Sequence, residues 1–209
     1  SRGNERRPIF RVKTDYERMI GYLKSATERY GARIHCFCLM PNHYHLLLET
    51  PRANLSAIVH HVNTSYTNYF NAKTGRVGHL LQGRYRAILV DKDSYVLELS
   101  RYIHLNPVRA NLAKAPLEYP WNSYVAYVEK AKLLSWLETG FILGQMGKDA
   151  SRKKYKFYVE EGIGKDLRDP LRQAVASTLL GPERFIQWVM ENWVKGKKID
   201  RDVPAMRKL

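Results

Sequence analysis

Two short apolar runs, Arg33–Met40 (RIHCFCLM) and His43–Glu49 (HYHLLLE), are separated only by Pro41-Asn42, and this arrangement limits the fold more than any other feature. Both runs are rich in strand formers, and a connection of two turn residues sends the second back antiparallel to the first. Pro51 ends the second run. Strand side chains alternate, so His43 and His45 emerge on one face while Tyr44, Leu46 and Leu48 emerge on the other.

The flanking sequence supplies cover for such a hairpin. Asp15 to Tyr30 reads as a helix, with Met19, Ile20, Leu23 and Ala26 at helical spacing and Gly31 as its stop. Asn54 is placed to cap a second helix running to about Ala72, with Leu55, Ile58, Val59, Val62, Tyr66 and Tyr69 on one stripe. Gly75 to Gly83 is a glycine-punctuated loop, and Arg84 to Val90 (RYRAILV) reads as a third strand. With a further strand in Ser1–Phe10, a weak strand sequence that would be only partly present, the order becomes βαββαβ. The expected fold is therefore α+β and ferredoxin-like, an antiparallel sheet with helices on one face.

A helix capped by Asp93 or Ser94 runs on through Leu97, Leu99 and Tyr102, and is expected to stop near Asn106 because Pro107 disfavours helical geometry in the residue before it. Trp121–Lys132, Leu133–Met146, Pro170–Leu180 and Glu183–Val194 all read as helical. Two units follow: residues 1–130, and a C-terminal helical extension over 131–209. Ser151-Arg152-Lys153-Lys154-Tyr155-Lys156 suits either phosphate contacts or a solvated helix face. The helices around Gly181-Pro182 suit either a helix-turn-helix or a packed αα-hairpin.

Lys and Arg number 35 against 20 Asp and Glu, a formal net charge of +15, on a chain that is 44% hydrophobic and holds 14 Tyr. Such a chain folds, and its positive excess, spread over both units, calls for a polyanionic partner: nucleic acid first, an anionic membrane surface second. No apolar run approaches the roughly 20 residues of a membrane span. Cys36 and Cys38 are too close for an ordinary disulfide and too few for a zinc site, which fits a reducing cytoplasm.

Two imidazoles at i and i+2 on a strand can approach one divalent ion, or can be ordinary hydrogen-bonded surface histidines. Tyr102 and Asn106, four apart, share one helical face. A phenol with an ordinary pKa of about 10 is a poor nucleophile unless its target is activated. A metal on His43 and His45 would polarise a phosphate, and the Asn106 amide oxygen would add a third, hard ligand. Core packing for Tyr102 and a helix C-cap for Asn106 are the plainer readings. Arg84, Tyr85 and Arg86 alternate cation and aromatic in the manner used to track a backbone and stack unpaired bases, or form a solvated strand face. Arg101 and Arg109 flank the site and suit DNA phosphates. His60, His61 and His104 match no paired spacing and read as structural. Tyr95 is the rival nucleophile.

Four blocks carry a resemblance: Cys38-Leu39-Met40-Pro41-Asn42-His43-Tyr44-His45-Leu46-Leu47; Gly78-His79-Leu80 with Gln82-Gly83-Arg84-Tyr85; Tyr102-Ile103-His104-Leu105-Asn106-Pro107-Val108-Arg109-Ala110; and Tyr119-Pro120-Trp121-Asn122-Ser123-Tyr124. In this order and spacing they resemble the REP-associated tyrosine transposases of the HUH single-tyrosine superfamily, over roughly residues 1–130. The resemblance implies His43 and His45 as ligands of Mg²⁺ or Mn²⁺, and Asn106 as a polar side chain assisting at the metal. It implies Tyr102 as the nucleophile that cuts single-stranded or hairpin-forming DNA through a 5′-phosphotyrosine link. Two other readings stand beside it: a nucleic-acid-binding module derived from a transposase but without chemistry, and another HUH nickase, a replication initiator or relaxase. The motif order fits the transposase branch better. Monomer and helix-exchanged dimer both remain open.

Overall fold

The computed structural model describes residues 1–132, 134–167 and 169–194. Helix α1 spans Lys13–Tyr30. Asp15 opens it by accepting the backbone N–H groups of Arg11 and Val12 at 2.8 and 3.1 Å. Gly31 closes it at φ 68°, a left-handed conformation that costs glycine little. Strands β1 (Arg33–Met40) and β2 (His43–Glu49) form the expected antiparallel hairpin, with Met40 opposite His43 and Cys38 opposite His45.

Helix α2 (Leu55–Thr74) buries Ile58, Val59, Val62, Tyr66 and Phe70. Asn54 precedes it without making a side-chain cap; its amide donates instead to the Tyr30 carbonyl at 3.0 Å, tying the start of α2 to the end of α1. The Tyr44 hydroxyl donates to Asn63 of α2 at 2.6 Å, so α2 lies on the face of β2 opposite the histidines.

The first strand is reduced to single bridges: Arg2 pairs with His43 and Gly3 with Leu81. The outer edge of β1 is bridged by Asn122 and Leu137. The expected third strand over Arg84–Val90 does not form as such. Only Leu89–Val90 (β3) is extended in a ladder, and it pairs in parallel with Leu179–Leu180 (β4). A strand needs a free edge; β2's edge is taken by Arg2, and the chain has already bridged Gly3 at Leu81 before Arg84 is reached.

Helix α3 (Lys92–Arg109) runs through Pro107 instead of stopping before it. Proline removes one N–H donor, a loss confined here to the last turn, and Pro107 is itself buried. Asn111, at φ 55°, ends the segment. The extension is less helical than its sequence suggests. Tyr124–Val128 (α4) and Gly140–Gly144 (α5) replace the longer helices expected there, with Leu133 outside the described residues. Ser151–Glu160 (α6) and Glu183–Val189 (α7) are helical, the latter continuing as a π-turn over Met190–Val194. Pro170–Gln173 is a short 3-10 turn leading into β4, so no helix pair surrounds Gly181-Pro182 and neither a helix-turn-helix nor an αα-hairpin forms there.

One buried cluster joins β1, α1 and α2 to Ile142, Leu143, Tyr155 and Val159 of the extension. At its centre His104 of α3 is fully enclosed, bonded through Nδ1 to the Tyr155 hydroxyl and through Nε2 to Ser123 Oγ, both at 2.8 Å. The Tyr155 hydroxyl also donates to Ser100 Oγ at 2.9 Å. Tyr155→Phe leaves buried polar atoms on His104 and Ser100 without this partner, and is expected to cost about 1–3 kcal/mol in urea unfolding. Burial pushes the His104 pKa down to about 3, below the value near 6.5 of an unfolded chain. The stability contributed by this neutral ring is therefore complete above about pH 6.5 and is lost as the pH falls towards 3, measurable as a falling midpoint of urea unfolding over that range.

Candidate functional site

The hairpin presents His43 and His45 on the face of β2 that meets α3. Their Nε2 atoms stand 3.1 Å apart with the rings nearly perpendicular, at 82°. His43 Nδ1 lies 2.7 Å from Asn42 Oδ1. Burial, reinforced at His43 by the charge of Arg2 and at His45 by His43, lowers their pKa values to about 4 and about 3, so both rings are neutral at pH 7. Neutral imidazole is the form that ligates metals.

The ring of Tyr102 on α3 meets His45 edge-on at 6.0 Å between centroids. On its other side the Arg109 guanidinium lies 5.0 Å from the phenol ring centroid. The expected partner one turn on, Asn106, is present on the same helix; its Nδ2 donates to the Tyr102 carbonyl at 2.8 Å, which fixes the amide with Nδ2 towards the helix backbone and Oδ1 at the other end. His43, His45, Tyr102 and Arg109 thus form one chain of contacts.

Arg101 lines a cleft with Tyr102 but stacks its guanidinium on Tyr158 of α6 at 4.3 Å. Others lie elsewhere. Tyr85 bonds Ser56 Oγ at 3.0 Å at the start of α2, and Arg84 and Arg86 are exposed in a loop instead of on a strand. His61 bonds Ser25, and His60 is exposed. Tyr95, two helical turns before Tyr102, is half-buried.

One residue of the site carries no motif that singles it out. Asp169 comes from the extension. The half-buried phenol of Tyr102 has its pKa raised, first by burial and then by the negative charge of Asp169, while Arg109 and Arg172 pull it back. Leu167 and Pro170 line a small cleft together with Tyr102, Leu105 and Arg109. Nothing in the local pattern Asp169-Pro170 announces this, because the contact is made across more than sixty positions of chain. Asn42 lies inside the first motif block, but its contact with the His43 ring at 2.7 Å is visible only in the structure.

With this geometry in place, comparison with known proteins is decisive at the family level. The profile of the family described as "Transposase IS200 like" matches residues 2–106, half of the chain and the part that holds both histidines and Tyr102. This chain belongs to the IS200-like transposase family. No curated protein and no solved structure gives a significant match. Membership makes DNA its partner and DNA transposition its class of reaction. Among the described residues no helix is long and apolar enough to cross a membrane, and no group of three His, Cys, Asp or Glu side chains is placed to hold a metal.

Asp169→Asn removes the negative charge beside Tyr102 without changing its size. The phenol pKa is expected to move down towards 10, followed as a pH titration of ¹³C-labelled tyrosine by NMR; Asp93→Asn, exposed at the start of α3, should leave it where it is.

Proposed function

We propose that this IS200-like transposase cuts and rejoins single-stranded or hairpin-forming DNA of the REP type through Tyr102, with a divalent ion held by His43 and His45. The observation that carries the reading is the convergence of the two Nε2 atoms, 3.1 Å apart, beside the ring of Tyr102. Two ligands at about 2.1 Å from one octahedral ion, at right angles, lie about 3 Å apart. The family resemblance points to Mg²⁺ or Mn²⁺; the Asn106 amide oxygen is the hard donor such ions favour, and phosphate oxygens would fill further positions beside the two neutral imidazoles. When bound, such an ion supplies Lewis-acid polarisation of the phosphodiester.

The chain's own residues do the rest. The Tyr102 oxygen bonds to phosphorus while the bond from phosphorus to the 3′ oxygen breaks. The phenol gives up its proton, the departing 3′ oxygen gains one, and a 5′-phosphotyrosine remains. Because one phosphoester replaces another, the reverse step rejoins the strand without ATP. Arg109, stacked on the phenol, is placed to hold a DNA phosphate at the site. Arg101, Arg84, Tyr85 and Arg86 extend the grip on the flanking strand. The ferredoxin-like plan is supported by the order of bridges, Leu81 beside Gly3 and Arg2 beside β2, in which the segments at Arg2–Gly3 and Leu81 are shortened to single pairs. Free, buried Cys36 and Cys38 are compatible with a cytoplasmic site of action.

A DNA-binding module without chemistry is the competing reading, favoured by the raised pKa of the half-buried Tyr102. Incubation with labelled, hairpin-flanked single-stranded DNA and Mn²⁺ separates the two. The wild type is expected to form a covalent adduct resistant to denaturing electrophoresis, lost in Tyr102→Phe and kept in Tyr95→Phe. His45→Ala should slow its formation by about 10² to 10³, the usual cost of removing one group that stabilises transition-state charge. A wild type that binds the DNA and forms no adduct establishes the binding module.

A further inference from the structure

The Pro41-Asn42 turn does more than reverse the chain. We propose that Asn42 is a positioning residue for the histidine pair: its amide, anchored on the Arg6 carbonyl, holds the His43 ring with the Nε2 lone pair aimed at the point shared with His45. This rests on the reading that His43 and His45 hold a divalent ion.

The hydrogen-bond chemistry leaves one consistent assignment. The Arg6 carbonyl oxygen can only accept, so the Asn42 atom 3.0 Å from it is the donor Nδ2. The other end of the amide, Oδ1, can only accept, so His43 Nδ1 at 2.7 Å carries the ring proton. A neutral imidazole has one N–H, which leaves His43 Nε2 as a bare lone pair facing His45 Nε2 at 3.1 Å. Without an ion, that separation is satisfied by His45 donating its own Nε2–H to His43. With an ion between them both Nε2 atoms present lone pairs, and the His45 proton sits on Nδ1. His43 thus keeps one tautomer in both states, whereas His45 changes tautomer as the ion binds.

The anchor is built for this. The segment before α1 wraps the turn: Gly3 N–H donates to the Asn42 carbonyl at 2.7 Å, and the N–H groups of Ile9 and Phe10 donate to the Pro41 carbonyl at 2.8 and 3.0 Å. A Cβ on Gly3 would run into the Arg7 carbonyl oxygen, so only glycine lets the segment pass this close. Glu5 and Arg6 take left-handed backbone angles, φ 53° and 58°, uncommon for side-chain-bearing residues, and in that conformation the Arg6 carbonyl faces Asn42. An amide that orients a ligating imidazole through its remote nitrogen is the arrangement by which outer groups tune metal sites.

The test uses the full chain labelled with ¹⁵N and long-range ¹H–¹⁵N NMR, which reports which nitrogen of each histidine carries the proton, together with calorimetric titration of Mn²⁺. In the metal-free wild type, and again with Mg²⁺, His43 is expected to be protonated on Nδ1, while His45 shifts from Nε2–H to Nδ1–H as Mg²⁺ is added. Asn42→Ala should give His43 a mixture of tautomers and weaken Mn²⁺ binding by about 10–100-fold. Asn42→Asp keeps the acceptor for the His43 Nδ1–H, though not the donor to the Arg6 carbonyl, and should retain the Nδ1–H form and bind Mn²⁺ more tightly than Asn42→Ala. Unchanged His104 signals report that the core of each variant is intact. A metal-free wild type with His43 protonated on Nε2 overturns the proposal without any variant, as does an Asn42→Ala protein with wild-type tautomer and affinity. A wild type that takes up no Mn²⁺ overturns the ion-holding reading instead, whatever the tautomer of His43, so the two failures are told apart.

Discussion

The pairing of β1 with β2 is the constraint on which the rest depends. With Cys38 opposite His45 and Met40 opposite His43, both imidazoles face α3 and Tyr44 faces α2. A slip of one residue would exchange the faces, burying the histidines against α2 and putting a tyrosine where they now stand. The two-residue reversal leaves no slack for such a slip, and the segment before α1, hydrogen-bonded to Pro41 and Asn42, braces the turn from outside. The same backbone contacts that fix the register therefore also fix the orientation of His43 through Asn42.

A second constraint positions Tyr102. Helix α3 carries the proposed nucleophile on one side and His104 on another, and His104 is bonded to Tyr155 of α6 and to Ser123, which in turn accepts the Phe37 N–H of β1. A buried network of this kind holds its members to one geometry, because any displacement leaves buried polar atoms unpaired. The extension thus serves the site in two ways: α6 locks α3 against the sheet, while Asp169 sets the charge beside the phenol and Leu167 and Pro170 line the cleft next to it. Part of the basic run at Ser151–Lys156 has a structural task as well, since Arg152 donates to the Ala126 and Tyr127 carbonyls and Tyr155 is fully enclosed.

The elements legible in the sequence are those whose determinants are local. The hairpin, α1 and α2 carry their own turn residues, apolar stripes and glycine stops, and β1, β2 and α1 fall within two residues of expectation. Arg84–Val90 was legible as an extended sequence but not as a strand, because strand formation depends on which edge is free, and Leu179–Leu180 supplies that edge only at β3. Pro107 misleads for a related reason. Its local penalty is real, yet burial of Leu105 and Pro107 near the end of α3 outweighs it. In the extension, apolar residues at helical spacing were read as helices where the chain makes short turns that feed one core from several directions.

The order of motifs alone determined the family, the hairpin and the choice of His43, His45 and Tyr102 as residues to watch, since residue type, spacing and strand alternation are properties of a few consecutive positions. Only the tertiary structure decided that the two Nε2 atoms converge, that Arg109 and not Arg101 stacks on the phenol, and that Asp169 stands beside it. Those facts depend on packing between segments distant in the chain. Burial and charge at a site are sums over whatever the fold brings there, and no local pattern of residues contains them.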